Sequence, residues 1–302
     1  MTDSSPSRAR SIAWLQMHIC VLVWGCTAVL GKLITLSALA LVWWRMLLVA
    51  TALLLFPRTW RTIRRMPRGL LLRYLGIGVV VGLHWLCFYG SVKLANASIA
   101  ATTMALASVF IAFMEPWLLR RRFNPAELLL GLAIIPGVAL VVGGTPARMY
   151  WGLVLGILSA AFVAVFGVLN KRYVQHTDSL TMTLLEMIGG WLVLCLLAPF
   201  IPGSDLHLPQ GQDIWLMTIL CLACTLLPFA LSLKALRHLS AFGAQLAVNL
   251  EPVYAIVLSI LLLGEQHELN GRFYLGVVII LAAVFAYPLL QRDAVIKPAA
   301  ID

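Results

Sequence analysis

The stretch Ala241–Glu265, AFGAQLAVNLEPVYAIVLSILLLGE, constrains the fold more than any other part of the chain. It is apolar enough to cross a bilayer, yet it holds Gln245, Asn249 and Glu251 and is interrupted by Pro252. A carboxylate at mid-membrane costs roughly 2.5–3.5 kcal/mol on insertion scales. A helix-interior proline removes one backbone donor and releases the carbonyl one turn back, here that of Val248. Lipid cannot satisfy that carbonyl, so the broken backbone should face protein or a wet cavity. The segment is therefore expected to line a polar site within a helical membrane protein.

The remainder of the chain agrees on class. Of 302 residues, 62% are hydrophobic and 11% charged, against about 25% charged in soluble domains. Ten apolar runs, each near the length that spans about 30 Å of hydrocarbon, fall at 13–33, 35–57, 70–93, 97–119, 126–144, 149–169, 179–200, 213–235, 240–263 and 273–290. Backbone in lipid must pair within its own segment, so all ten are expected to be helices. Arg8 and Arg10 before an apolar run imitate a signal peptide, but that run continues from Trp14 to Val29 and reads as a retained first span. The net charge of +10 falls in short clusters between the runs, which argues against a nucleic-acid partner and for loops beside an anionic leaflet. If the spans alternate, seventeen of the 22 Lys and Arg lie on one side and four on the other, with Arg45 inside a span. That asymmetry is the one expected of a chain with both termini in the cytoplasm; a cell inner membrane of bacterial origin is the expected location.

An internal repeat is visible at an offset of about 144. It lays Ser91–Phe110 over Ala235–Tyr254, pairing Lys93 with Arg237 and Ser108 with Pro252. Gly131 falls over Gly276, and Gly31-Lys32 and Asn170-Lys171 end spans one and six alike. Five spans per copy is an odd number, so the second copy enters the membrane inverted, with a site expected at the repeat interface. The copies are expected at 1–145 and 146–302.

These features resemble a known family. The ten spans, Trp24-Gly25, Arg45, the run from Glu251-Pro252 to Gly264-Glu265, and Gly276-Val-Val-Ile-Ile-Leu-Ala-Ala are similar to the EamA-type transporters of the drug/metabolite transporter superfamily. The first copy departs from that pattern: Ser108 stands for the proline, Arg121 for the Gly-Glu glutamate, and a Glu115-Pro116 pair lies near the end of span four. The resemblance implies a carrier of small metabolites, often an exporter of amino acids or related compounds, with a central cavity between the halves.

The polar residues within the spans are the candidate site. Glu251 is expected to bind a proton or a substrate ammonium, the alternative being a packing carboxylate. Arg45 offers a bidentate fork to a substrate carboxylate or to a protein glutamate. Glu186 is a candidate partner for it, or a second proton site. Glu115 is expected at the inner mouth, paired with Arg120-Arg121-Arg122 or acting in a gate. His84 could relay protons or simply pack. Gln245 and Asn249, four apart, share a helical face, and Glu251 meets the same cavity only if Pro252 distorts the turn. Trp24, Trp43, Trp44 and Trp85 lie deep enough to stack on substrate or to fill the core. Gly78-xxx-Gly82 and Gly152-xxx-Gly156 permit close helix approach. Cys221 and Cys224 have CxxC spacing but read as small apolar residues in a helix.

No P-loop, metal-ligand cluster or nucleophile–base pair stands out, so no cofactor is expected. The reading is a secondary transporter of small organic metabolites in a lipid bilayer, a proton-coupled exporter of amino acids or related compounds with the direction implied by the resemblance alone, monomeric or homodimeric. An importer or facilitative carrier is the near alternative; a non-transporting scaffold or an intramembrane enzyme is the distant one.

Overall fold

The computed structural model describes residues 6–120, 122, 125–201 and 205–290, and every regular element among them is a helix. The first half contains α1 (Pro6–Leu33), α2 (Ala38–Leu54), α3 (Pro57–Arg65), α4 (Arg68–Leu94), α5 (Ala97–Thr103), α6 (Ala107–Leu118) and α7 (Pro125–Gly144). The second contains α8 (Tyr150–Tyr173), α9 (Ser179–Leu197), α10 (Gln212–Cys221), α11 (Leu227–Leu236), α12 (Ala241–Val248), α13 (Glu251–Leu263) and α14 (Gly271–Leu290). Among the described residues, six helices are long and apolar enough to cross a membrane, or seven if the bent pair α2–α3 counts as one span. Shorter apolar stretches cover Leu132–Gly144, Glu251–Leu263 and Gly271–Ala283.

Polar side chains start the helices where the sequence supplies them. Ser37, Asn96, Asp178 and Ser240 cap α2, α5, α9 and α12, each accepting from a backbone N–H three residues on. Such caps satisfy donors that a helix cannot pair internally. The arginine-rich connection after α2 is itself helical: α3 begins at Pro57 and turns 91° from α2.

Both broken spans break at matching places. Between α5 and α6 the backbone tightens into a 3₁₀ turn at Met104–Leu106. Between α12 and α13 the regular helix lapses at Asn249 and Leu250. The two breaks lie about 144 residues apart, although only the second has a proline nearby. Pro252 occupies the first turn of α13 rather than the middle of one continuous helix, so it opens a helix instead of kinking one.

Small residues let the helices close. A Cβ built on Gly78 would meet the Glu186 carbonyl at 2.2 Å, and one on Gly190 would meet the Gly78 carbonyl at 2.8 Å, so α4 and α9 touch backbone to backbone. Gly152 and Gly156 play the same part against Ala95 and Thr103. The α7–α14 contact is reciprocal: Gly137 faces the Gly276 carbonyl and Gly276 faces the Gly137 carbonyl. Gly137 thus takes the place that the sequence overlay assigns to Gly131. Close approach of this kind carries helix association in lipid, where apolar surface gains nothing by leaving the tails.

The helix ends are clamped in matching pairs. At one end Lys32 donates to the Ala95 carbonyl and Lys93 to that of Ile34. At the other, Lys171 donates to Leu236 and Arg237 to Thr177. These are the pairs Lys32/Lys171 and Lys93/Arg237 that the repeat predicts. Glu265 and Glu115 match in the same way. Glu265 accepts from Ala97 N, Ser98 N and Ser98 Oγ at the start of α5. Glu115 accepts from Phe242 N at the start of α12, at 3.1 Å.

Candidate functional site

A cavity of ≈ 120 Å³ lies among α1, α2, α4, α6, α8, α11, α12 and α13. One water requires about 10–15 Å³ by this measure, so the space holds several waters or a small solute. Trp24, Arg45, His84, Trp85, Gln245 and Glu251 line it, as do Val248 and Asn170. Val248, the last residue of α12 before the break, therefore borders the hollow, where broken backbone in a membrane is expected.

Arg45 is 2% exposed and is held from three directions. Its Nε donates to Thr225 Oγ1 at 2.6 Å, and its terminal nitrogens donate to Tyr89 Oη at 2.8 Å and the Cys224 carbonyl at 3.5 Å. The Trp85 ring stacks on the guanidinium, 3.8 Å from ring centre to Cζ, well within the range of a cation–π contact. The local fold that permits this is a π-helical turn, Leu222–Leu226, between α10 and α11. Such turns leave carbonyls outside the regular ladder and often mark functional sites. Here the turn presents the Cys224 carbonyl and Thr225 to Arg45. No carboxylate lies within ion-pair distance of Arg45 among the described residues. The expected protein glutamate partner, Glu186, is elsewhere. Of the five N–H donors a guanidinium carries, protein contacts occupy three.

Glu251 stands in the first turn of α13, where a helix favours negative charge. It feels the Arg45 charge without forming an ion pair to it. Gln245 borders the same space, with an Nε2 that is buried and unpartnered. The lapse at Asn249–Leu250 brings Gln245 and Glu251 to one chamber. Asn249, one helical turn on with its N–H on the Gln245 carbonyl at 3.0 Å, is not part of the lining, and its Nδ2 donates to Ser108 Oγ at 2.6 Å.

His84 borders the cavity and ties α4 to α8, with Nδ1 2.8 Å from Ser159 Oγ and 3.0 Å from the Ser159 carbonyl. Glu186 is fully buried outside the cavity, and neither carboxyl oxygen has a hydrogen-bond partner. Its polar neighbour is Asn170, which does reach the cavity. Trp43 and Trp44 point away from the chamber, with Trp43 Nε1 on Cys195 Sγ and Trp44 Nε1 on the His207 carbonyl. Glu115 is buried against α12; Arg121, one of its three expected partners, lies outside the described residues.

The sequence reasoning missed Thr225, Tyr89 and Asn170. Thr225 is one of few hydroxyls in an apolar run, just after Cys224, and that isolation was its available signal. Together the residues form a fixed cation with open donors, a carboxyl across the same space, an unpaired amide and aromatic walls that include Phe88, Phe166 and Phe229. This arrangement can hold a small amphipathic molecule that carries a carboxylate, an ammonium, or both.

Comparison with known proteins adds the context. The model of a family described as EamA-like transporter family matches the chain twice, over residues 11–143 and 150–287. The chain is 24% identical over 253 residues to "Uncharacterized transporter YdfC" of Bacillus subtilis (strain 168), covering 80% of this chain and 79% of that one. It is 27% identical over 219 residues to "Uncharacterized inner membrane transporter YicL" of Salmonella typhimurium (strain LT2), covering 68% and 69%. A solved structure titled "Crystal structure of protein" superposes with a TM-score of 0.66 at 15% identity, over 93% of this chain and 97% of that one, a likeness of fold.

Proposed function

The chain belongs to the EamA-like transporter family and is a multi-pass membrane protein, and on that premise we propose that it is a proton-coupled secondary transporter that exports amino acids or related small metabolites. Ten spans form two inverted five-helix units, residues 1–145 and 146–302, with both termini in the cytoplasm of a bacterial inner membrane. The matched clamps and the matched breaks in spans four and nine support that symmetry. The observation that carries the substrate class is Arg45, buried at the cavity wall with open donors and no carboxylate of its own. A substrate carboxylate completes its shell. Glu251 takes the proton or the substrate ammonium, and Gln245 supplies a further donor. The aromatic walls select apolar side groups.

In this topology Asn170, Leu236 and Ala241 belong to the inner ends of their helices, so the cavity reaches toward the cytoplasm from a floor at Arg45 and Trp85. The Lys32, Lys93 and Glu265 contacts close the outer end. Rocking of one unit against the other exchanges which end of the cavity is open. The test is a thermal-shift panel of amino acids, their decarboxylated amines and nucleosides on purified protein, since a ligand of the native state raises apparent stability. A carboxylate-bearing ligand is expected to raise the Tm of the wild type and not that of a folded Arg45→Lys protein. A ligand that stabilises both equally refutes the assignment.

A further inference from the structure

A second concavity, of ≈ 330 Å³, opens on the face that the proposed topology turns to the cytoplasm. One wall is α3, from which Arg58, Arg61 and Arg65 project into it; the other is the loop at His176 and Thr177. The spacing i, i+3, i+7 sets the three arginines on one side of the helix, while Arg64 is not part of the lining. Like charges stacked in this way destabilise a short helix unless something neutralises them. The chain itself offers little: it has no Asp or Glu between Asp3 and Glu115. None of the three guanidinium groups has an ion pair or a side-chain hydrogen bond among the described residues. Asp178, adjacent to the far wall, is engaged in capping α9 through Thr181 N and Thr181 Oγ1.

Two further observations point to a ligand. Thr177 Oγ1 is buried in that wall with no hydrogen-bond partner. The lip beyond the arginines is apolar, formed by Met66, Pro67 and Leu70, and Trp60 is exposed on α3 beside it. A bias of positive charge toward one membrane face accounts for the presence of arginines in this connection. It does not account for three of them converging on a cup with an orphan hydroxyl opposite.

We propose that this basin binds the phosphodiester headgroup of an anionic lipid from the inner leaflet. Arg58, Arg61 and Arg65 supply forked donors to the phosphate oxygens, Thr177 donates the remaining hydrogen bond, and the Met66–Leu70 lip receives the glycerol and the first acyl carbons. A headgroup seated there bridges α3 of the first unit to the α8–α9 loop of the second. The same oxyanion chemistry is offered by free phosphate, but the apolar lip and the 91° turn that lays α3 across the end of α2 favour a lipid.

The test is thermal stabilisation of the detergent-purified full chain by short-chain phosphatidylglycerol, short-chain phosphatidylcholine and inorganic phosphate. Phosphatidylglycerol is expected to raise the Tm saturably and phosphatidylcholine not to. Arg61→Gln is expected to weaken the apparent affinity about fivefold, and Arg64→Gln, which removes the same charge from the same helix, to leave it within about twofold. Arg58→Gln carries the same expectation as Arg61→Gln and serves if that variant does not purify folded. Equal losses in Arg61→Gln and Arg64→Gln, or no difference between the two lipids, overturn the site. A shift from inorganic phosphate matching that from phosphatidylglycerol overturns the lipid assignment in favour of a soluble anion.

Discussion

Replacement of Glu265 by Gln tests the outer closure quantitatively. Gly264, with φ of +68°, ends α13 in the left-handed region and turns the chain so that Glu265 points back into the first half. There the carboxylate accepts from Ala97 N and Ser98 N, each at 2.9 Å, and from Ser98 Oγ at 2.6 Å, and it is 1% exposed. Hydrogen bonds to a charged group contribute about 1.5–3 kcal/mol, neutral ones about 0.5–1.5. An amide keeps one acceptor oxygen and no charge, so the closed end loses about 2–3 kcal/mol in total. If the outer end opens during transport, these bonds are already broken in that state and the loss falls on the closed state alone. The population then shifts toward outward opening by roughly 30- to 150-fold. The readout is a thiol at position 27, a cavity-lining site on α1. The background lacks Cys26, Cys87 and Cys195, the three native cysteines that are not fully buried. An impermeant maleimide applied from outside should label Thr27→Cys at least tenfold faster once Glu265→Gln is added. A lower Tm with an unchanged labelling rate refutes the reasoning and leaves Glu265 as a cap of α5 alone.

Three further outcomes follow from the geometry. Gly190→Leu drives a side chain into Met46 and the Gly78 backbone, where a Cβ alone would stand 2.5 Å from Met46 Cε; overpacking of about 1–3 kcal/mol should appear as a lower Tm and reduced monodisperse yield on gel filtration. Asn249→Ala and Ser108→Ala should be non-additive in stability by about 0.6–1.7 kcal/mol, the range of interhelical hydrogen bonds in membranes, as measured in a double-mutant cycle on their 2.6 Å contact. Glu251→Gln should abolish accumulation driven by a pH gradient while equilibrium exchange persists; accumulation at the wild-type rate in proteoliposomes removes this carboxyl from the coupling.

Membrane class, the break near Pro252 and the clamp equivalences were legible because each rests on period, charge or proline chemistry that a single segment displays. Arg45 stood out for the same reason. What holds Arg45 was hidden: the π-helical turn at Leu222–Leu226 arises in a run that reads as ordinary apolar helix. The break at Met104–Leu106 carries no proline, so only the offset from Val248–Leu250 could have located it. Depth along a span can be counted from sequence, but azimuth cannot, which is why Trp24 and Trp85 reach the chamber and Trp43 and Trp44 do not. Gln245 and Asn249 stay one helical turn apart, but only Gln245 borders the chamber, a difference of azimuth that spacing alone does not give. Helix α3 read as a connection because nine residues dense in arginine show no apolar period; Pro57 at its start and Thr59 bonded to Leu53 and Phe56 carbonyls fix it.

Counterflow in proteoliposomes probes the central idea at its root, that a solvent-accessible chamber between two inverted units presents one site to each side in turn. Vesicles loaded with an unlabelled solute that stabilises the purified protein should take up its labelled form transiently above equilibrium, saturably, and only with Arg45 intact. Uptake that rises linearly with concentration, or an overshoot that survives in a folded Arg45→Lys protein, would contradict it.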